Sequence, residues 1–110
     1  MSDQITIPAL LADYIISQNT QDSEAFTRLF ADDATVQDEG KNYTGKSAIK
    51  NWIEIANEKY QTTVKPVACS VNGEETVLTL MMSGNFPGSP LAADFHFKIV
   101  NNRISHLHVT

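Results

Sequence analysis

The apolar pattern changes period at Tyr60, and this change constrains the fold more than any single motif does. Before it, apolar side chains recur every three or four residues; after it, they alternate. Helices gathered ahead of an antiparallel meander predict an α+β fold, with the helices on one sheet face.

Ile7, Leu10, Leu11, Tyr14 and Ile15 make one stripe of a first helix, which Pro8 can open. Asp22 suits the N-cap of a short second helix with Phe26, Leu29 and Phe30 on one face, ended by Asp32-Asp33. Residues 34–38 read as a short strand with Ala34, Val36 and Asp38 on one side. A turn over residues 39–42 and a break at Gly45 precede a third helix over about residues 47–59, where Ile49, Trp52, Ile53, Ala56 and Tyr60 repeat at helical spacing.

From residue 62 the chain alternates. Val67, Cys69 and Val71 share a face, and Pro66 marks an edge or a bulge. Asn72-Gly73 signals a hairpin with a type I′ turn. The returning strand, residues 76–83, is apolar on both sides, with Val77 and Met81 on one and Leu78, Leu80 and Met82 on the other. Two apolar faces predict helices against one and a second subunit against the other. After a loop at residues 85–90, Leu91, Ala93, Phe95, Phe97 and Ile99 alternate, Asn101-Asn102 turns the chain, and residues 103–110 make the last strand.

Composition narrows the function classes. The 110 residues fit one domain, 1–110. Thirteen acidic side chains against eight basic ones give a net charge of −5, which disfavours nucleic acid and anionic membranes as partners. One cysteine, Cys69, forbids an internal disulfide and a cysteine-based zinc site. No apolar run approaches the ~18–20 residues of a membrane span, and no secretory signal is visible, so a cytoplasmic protein is expected.

Asp38 is the first candidate for chemistry. On a face shared with Ala34 and Val36, its carboxylate points inward, where a raised pKa suits a general base. It could equally cap the turn that begins at Glu39. Tyr14, on the apolar stripe of the first helix, either supplies core area or donates a hydrogen bond to a ligand oxygen. His106 and His108 are two apart on one strand face, but no third ligand stands near, so no metal is expected. No glycine-rich phosphate loop or nucleophile elbow is present, and no cofactor is expected.

Phe30-Ala31-Asp32-Asp33-Ala34-Thr35-Val36-Gln37-Asp38, followed by Gly45-Lys46-Ser47-Ala48-Ile49, resembles the nuclear transport factor 2-like (NTF2-like) superfamily. More narrowly, it resembles the ketosteroid isomerase and SnoaL-like branch. The 84–90 segment Gly-Asn-Phe-Pro-Gly-Ser-Pro and the closing Asn101-Asn102-Arg103-Ile104 are similar to the hairpin and last strand of its small members. The resemblance implies a cone: a curved, mainly antiparallel sheet wrapped around three helices, usually paired as a homodimer. It also implies Asp38 as general base, Tyr14 as oxygen-polarising donor and Asp94 as a second, protonated acid. Strand alternation, however, turns Asp94 away from the apolar side, and Phe30 and Ile53 stand where ketosteroid isomerases carry supporting tyrosines.

Two functions follow as expectations. One is a cofactor-independent isomerase, cyclase or dehydratase acting on a small apolar or carbonyl-containing molecule, in a pocket walled by Leu11, Phe30, Val36, Trp52 and Ile53. The other is a non-catalytic ligand-binding or dimerisation domain of the same fold.

Overall fold

A computed structural model describes residues 6–110; the first five residues of the expected 1–110 domain lie outside the described residues. Helix α1 (Ala9–Asn19) starts after Pro8 and buries Leu10, Leu11, Tyr14, Ser17 and Gln18. Helix α2 (Ser23–Arg28) is capped by the Asp22 side chain, which accepts from the Ala25 amide at 3.0 Å. It ends earlier than the apolar spacing suggests. Phe30 opens strand β1 (Phe30–Asp38), and Asp32-Asp33 lie exposed within that strand rather than closing a helix. A register shift between Phe30 and Thr35 is the reason, because a bulge there breaks the period of two.

Strand β2 (Lys41–Thr44), unanticipated, pairs with β1 across a tight turn in which Glu39 and Gly40 both have positive φ. Helix α3 (Lys46–Tyr60) follows Gly45, whose φ of 88° and amide bond to the Ala34 carbonyl (2.8 Å) turn the chain sharply. Strands β3 (Thr63–Asn72), β4 (Glu75–Ser83), β5 (Leu91–Val100) and β6 (Arg103–Val109) then form the meander. The sheet order is β2-β1-β6-β5-β4-β3, antiparallel except for the parallel β1–β6 pair. The sheet is thus mainly antiparallel, as expected, and the one parallel pair is where β6 joins the meander to the first strand.

Turn chemistry differs at one hairpin. The β3–β4 loop is Gly73-Glu74, with Asn72 already paired to Glu75 and only Gly73 at positive φ, so the type I′ turn expected at Asn72-Gly73 is not formed. At Asn101-Asn102, by contrast, both residues take positive φ, as a type I′ turn requires. Pro66 lies on the edge strand β3 beside a register shift, which puts Val67 at the bulge and leaves Cys69 opposite Leu78.

The core sits between the helices and the concave sheet face. Leu11, Phe26, Phe30, Val36, Ile49, Leu78, Leu80, Phe97, Ile104 and Leu107 are fully buried, each side chain contributing about 1.5–3 kcal/mol. Aromatic rings bind the layers together: Tyr14 meets Phe26 and Phe97 at 5.0 Å each, and Phe26 meets Phe30 at 5.3 Å. The convex face carries half-buried Val77 and Met81 of β4 beside the polar side chains of β5 and β6.

Candidate functional site

Between α1, α3 and the concave sheet lies a cavity of about 650 Å³. Its walls are mostly apolar, including Trp52, Ile53, Ala56, Val64, Met82, Phe95 and Val109, with exposed Glu39, Lys41 and Lys59 at the rim. Polar side chains break the apolar lining, among them Tyr14, Gln18, Asp38 and Asn57. A mostly apolar cavity with a few converging polar groups is the usual form of a small-molecule site.

Asp38 is held at the C-terminal end of β1, on the face of Ala34 and Val36, which lie four and two residues before it and are anchored in the core. Its half-buried carboxyl is pushed above the usual carboxylate range by burial, and then by the neighbouring Glu39 carboxylate. The Glu39 amide and the Trp52 indole N–H pull weakly the other way. Desolvation outweighs these two hydrogen bonds in setting the direction of the shift.

Tyr14 is placed by its ring, which Phe26, Phe95 and Phe97 surround. Its hydroxyl has no hydrogen-bond partner among the described residues, yet no fully buried side-chain polar atom there is left unpaired. What access that hydroxyl has is to the cavity Tyr14 lines. Its pKa is driven strongly upward by burial, with a further contribution from the Asp38 charge. At neutral pH it is therefore a donor, close enough to Asp38 to feel its field.

The remaining candidate residues divide. Trp52 and Ile53 line the cavity, and Trp52 is held by stacking on Tyr43 at 5.6 Å. Leu11, Phe30 and Val36 do not line it. They are fully buried in the core beneath, because the bulge and tight packing at the start of β1 fill that end of the cone. Asp94 lies on the convex face, exposed, with its Oδ1 accepting from Thr79 Oγ1 at 2.7 Å. The β4–β5 register runs unbroken from Glu75 opposite Lys98 to Met82 opposite Leu91, so no bulge turns Asp94 inward. The second acid that the resemblance implied is therefore not in the cavity.

The histidines also lie on the convex face. His106 Nε2 meets Gln37 Oε1 at 3.1 Å, and His96 and His108 pack ring to ring at 5.8 Å. Among the described residues no group of three or more His, Cys, Asp or Glu is arranged to hold a metal, and no helix is long and apolar enough to cross a membrane.

Gln18 and Asn57 escaped sequence reasoning. Gln18 is one helical turn beyond Tyr14 on the same stripe, a position that counting only apolar residues passes over. The Tyr60–Phe86 pair at the rim, 6.2 Å apart, depends on the β4–β5 loop returning to the end of α3. There the Asn85 amide bonds the Tyr60 carbonyl at 2.7 Å.

A helical layer over a curved six-stranded sheet, with a cavity between them, defines an NTF2-like architecture. A protein from Catenulispora acidiphila with a ketosteroid isomerase-like fold, solved in complex with trimethylamine, superposes with a TM-score of 0.84 at 19% identity over 96% of this chain and 86% of that one. SalBIII, an epoxide hydrolase/cyclase-like enzyme of pyran ring formation in salinomycin, superposes with a TM-score of 0.80 at 21% identity over 91% and 85%. A candidate polyketide cyclase from Sinorhizobium meliloti is 31% identical over 94% of this chain and 95% of that one, with a TM-score of 0.91. No curated protein matches the sequence. The SnoaL-like domain family matches residues 11–107, and the chain belongs to that family, within the NTF2-like superfamily.

Proposed function

We propose that this chain, as a single 1–110 SnoaL-like domain, is a cofactor-independent enzyme that moves a proton beside a carbonyl of a small apolar molecule. The observation that carries the reading is that Tyr14 and Asp38 line one apolar-walled cavity, the first with a hydroxyl that has no partner among the described residues and the second with a raised pKa. Asp38 takes a proton from the carbon next to the carbonyl, and Tyr14 donates a hydrogen bond to the oxygen as it becomes an enolate. For a β,γ-unsaturated ketone the proton returns from Asp38 to the γ carbon, which completes an isomerisation without any other reactant. Membership of a family with cyclase-type relatives supports a small-molecule substrate and fits ring-forming chemistry on the same two groups. The convex sheet face, with Val77 and Met81 half-buried, is read as the surface of a homodimer, and the protein as cytoplasmic.

Asp94, on the outside of the sheet, favours one specific alternative. With a single donor at the carbonyl, the domain would bind carbonyl compounds without turning them over. A bicyclic β,γ-unsaturated ketone (an octalone) separates the two, followed by the rise of conjugated-enone absorbance. Turnover that falls about 10²–10⁴-fold in Asp38→Asn and about 10²–10³-fold in Tyr14→Phe supports the enzyme. Binding without turnover in the wild type supports the alternative.

A further inference from the structure

The end of the cavity away from Asp38 has its own polar geometry. Gln18 is only 6% exposed, and its Nε2 donates to the Thr62 carbonyl at 2.9 Å and to Asn57 Oδ1 at 3.2 Å. A backbone carbonyl can only accept, which fixes the orientation of the Gln18 amide, and through it that of Asn57. Gln18 Oε1 and Asn57 Nδ2 are then left over. Neither has a partner among the described residues, and neither counts as a fully buried orphan. Both residues line the cavity, so one free acceptor and one free donor belong to the end of the cavity nearest Thr62.

We infer that this amide pair is a recognition site for a ligand hydroxyl, so that the substrate is a hydroxylated carbonyl compound. The inference rests on the proposed binding of a carbonyl compound at Tyr14 and Asp38. A hydroxyl donates to Gln18 Oε1 and accepts from Asn57 Nδ2 at once, which satisfies both atoms. A carboxylate would face the Gln18 oxygen, and an ammonium would face the Asn57 N–H group, so each leaves a like-signed contact. The spacing sets the size of the molecule. Trp52 adjoins Asp38 and Asn57 adjoins Gln18; five residues of α3 separate them, roughly 7.5 Å along the helix axis. Two fused six-membered rings with an oxygen at each end match that span.

The test compares 2-decalone with 6-hydroxy-2-decalone by calorimetric titration of the full chain, where neither compound needs to react. The hydroxylated compound is expected to bind about 5- to 150-fold more tightly to the wild type, the ratio that two neutral hydrogen bonds give. Gln18→Met should bring the two affinities together while retaining binding of 2-decalone. Should Gln18→Met fail to fold, Asn57→Ala, which keeps the Gln18–Thr62 bond, should still lower the ratio. Equal affinities in the wild type, or a ratio unchanged in these variants, overturn the inference while 2-decalone binding leaves the carbonyl site standing. Binding of neither compound overturns both.

Discussion

Replacing Tyr14 with Phe removes one oxygen atom and nothing else from a ring that the protein holds tightly. The contacts to Phe26 and Phe97 at 5.0 Å and to Phe95 at 6.4 Å belong to the ring and survive the change. Each such pair is worth about 0.5–1.5 kcal/mol beyond its buried area. A structural tyrosine in a core owes part of its contribution to a hydrogen bond made by its hydroxyl, and losing that bond costs about 0.5–1.5 kcal/mol. Here the hydroxyl has no partner among the described residues, although Tyr14 is 2% exposed. Folding therefore leaves it no contact but the cavity and no protein partner to lose, and Tyr14→Phe should leave the protein equally stable or up to about 1 kcal/mol more stable. Urea denaturation at neutral pH, with an unchanged dependence on denaturant, reads this directly. Turnover of the octalone should fall about 10²–10³-fold in the same protein. A Tyr14→Phe variant destabilised by more than about 1 kcal/mol, with turnover unchanged, would refute the reasoning, because the hydroxyl would then be a structural group.

Asp38→Asn should be at least as stable as the wild type at neutral pH. A carboxyl whose folded pKa is raised costs stability once pH exceeds its unfolded value, and that cost persists above the folded pKa. Denaturation midpoints compared at neutral pH and toward the ordinary carboxylate range should show the advantage of Asn shrinking as pH falls; a less stable variant at neutral pH would make Asp38 a turn cap. Sedimentation at tens of micromolar should find a two-fold dimer burying on the order of 1,200–2,000 Å², and Val77→Glu on the convex face should yield a folded monomer; a monomeric wild type contradicts this. Gly84→Ala should cost about 1–3 kcal/mol in thermal or chemical denaturation, since the added Cβ would lie 2.6 Å from the Tyr60 carbonyl oxygen and 3.1 Å from the Phe86 ring.

What could be read from the sequence was whatever local periodicity encodes. The stripe through Leu11 and Tyr14, the Asp22 cap, the run around Trp52 and Ile53, and the alternation through Phe95 and Phe97 all depend on neighbours a few residues away. That same alternation turned Asp94 outward against the family resemblance, and the unbroken β4–β5 register agrees with it. Less legible were features set by distant chain. The bulge between Phe30 and Thr35 exists only against β6, so it hid the first half of β1 and made Phe30 look helical. β2 is a four-residue edge strand with one half-buried side chain, Tyr43, too short to show a period. The amide pair of Gln18 and Asn57 joins residues on different helices, and no spacing rule connects them.

The sheet order carries a consequence for how the chain folds. β6 is the last strand described, yet it lies between β1 and β5, with Val36 opposite Leu107 and Phe97 opposite Leu107 on the other side. The helical half and its first hairpin thus have no sheet to join until the end of the meander arrives. Closing so long a loop makes the parallel pair an entropically late step and a slow one. Until then β1 presents an open edge, with Ala34 and Val36 unburied, to any other chain nearby. Damage to β6, such as Leu107→Ala, should therefore not loosen one end of the molecule alone. It should release both segments together, dissolving the cavity with them, and raise aggregation during refolding more than a substitution of similar size in β3 would.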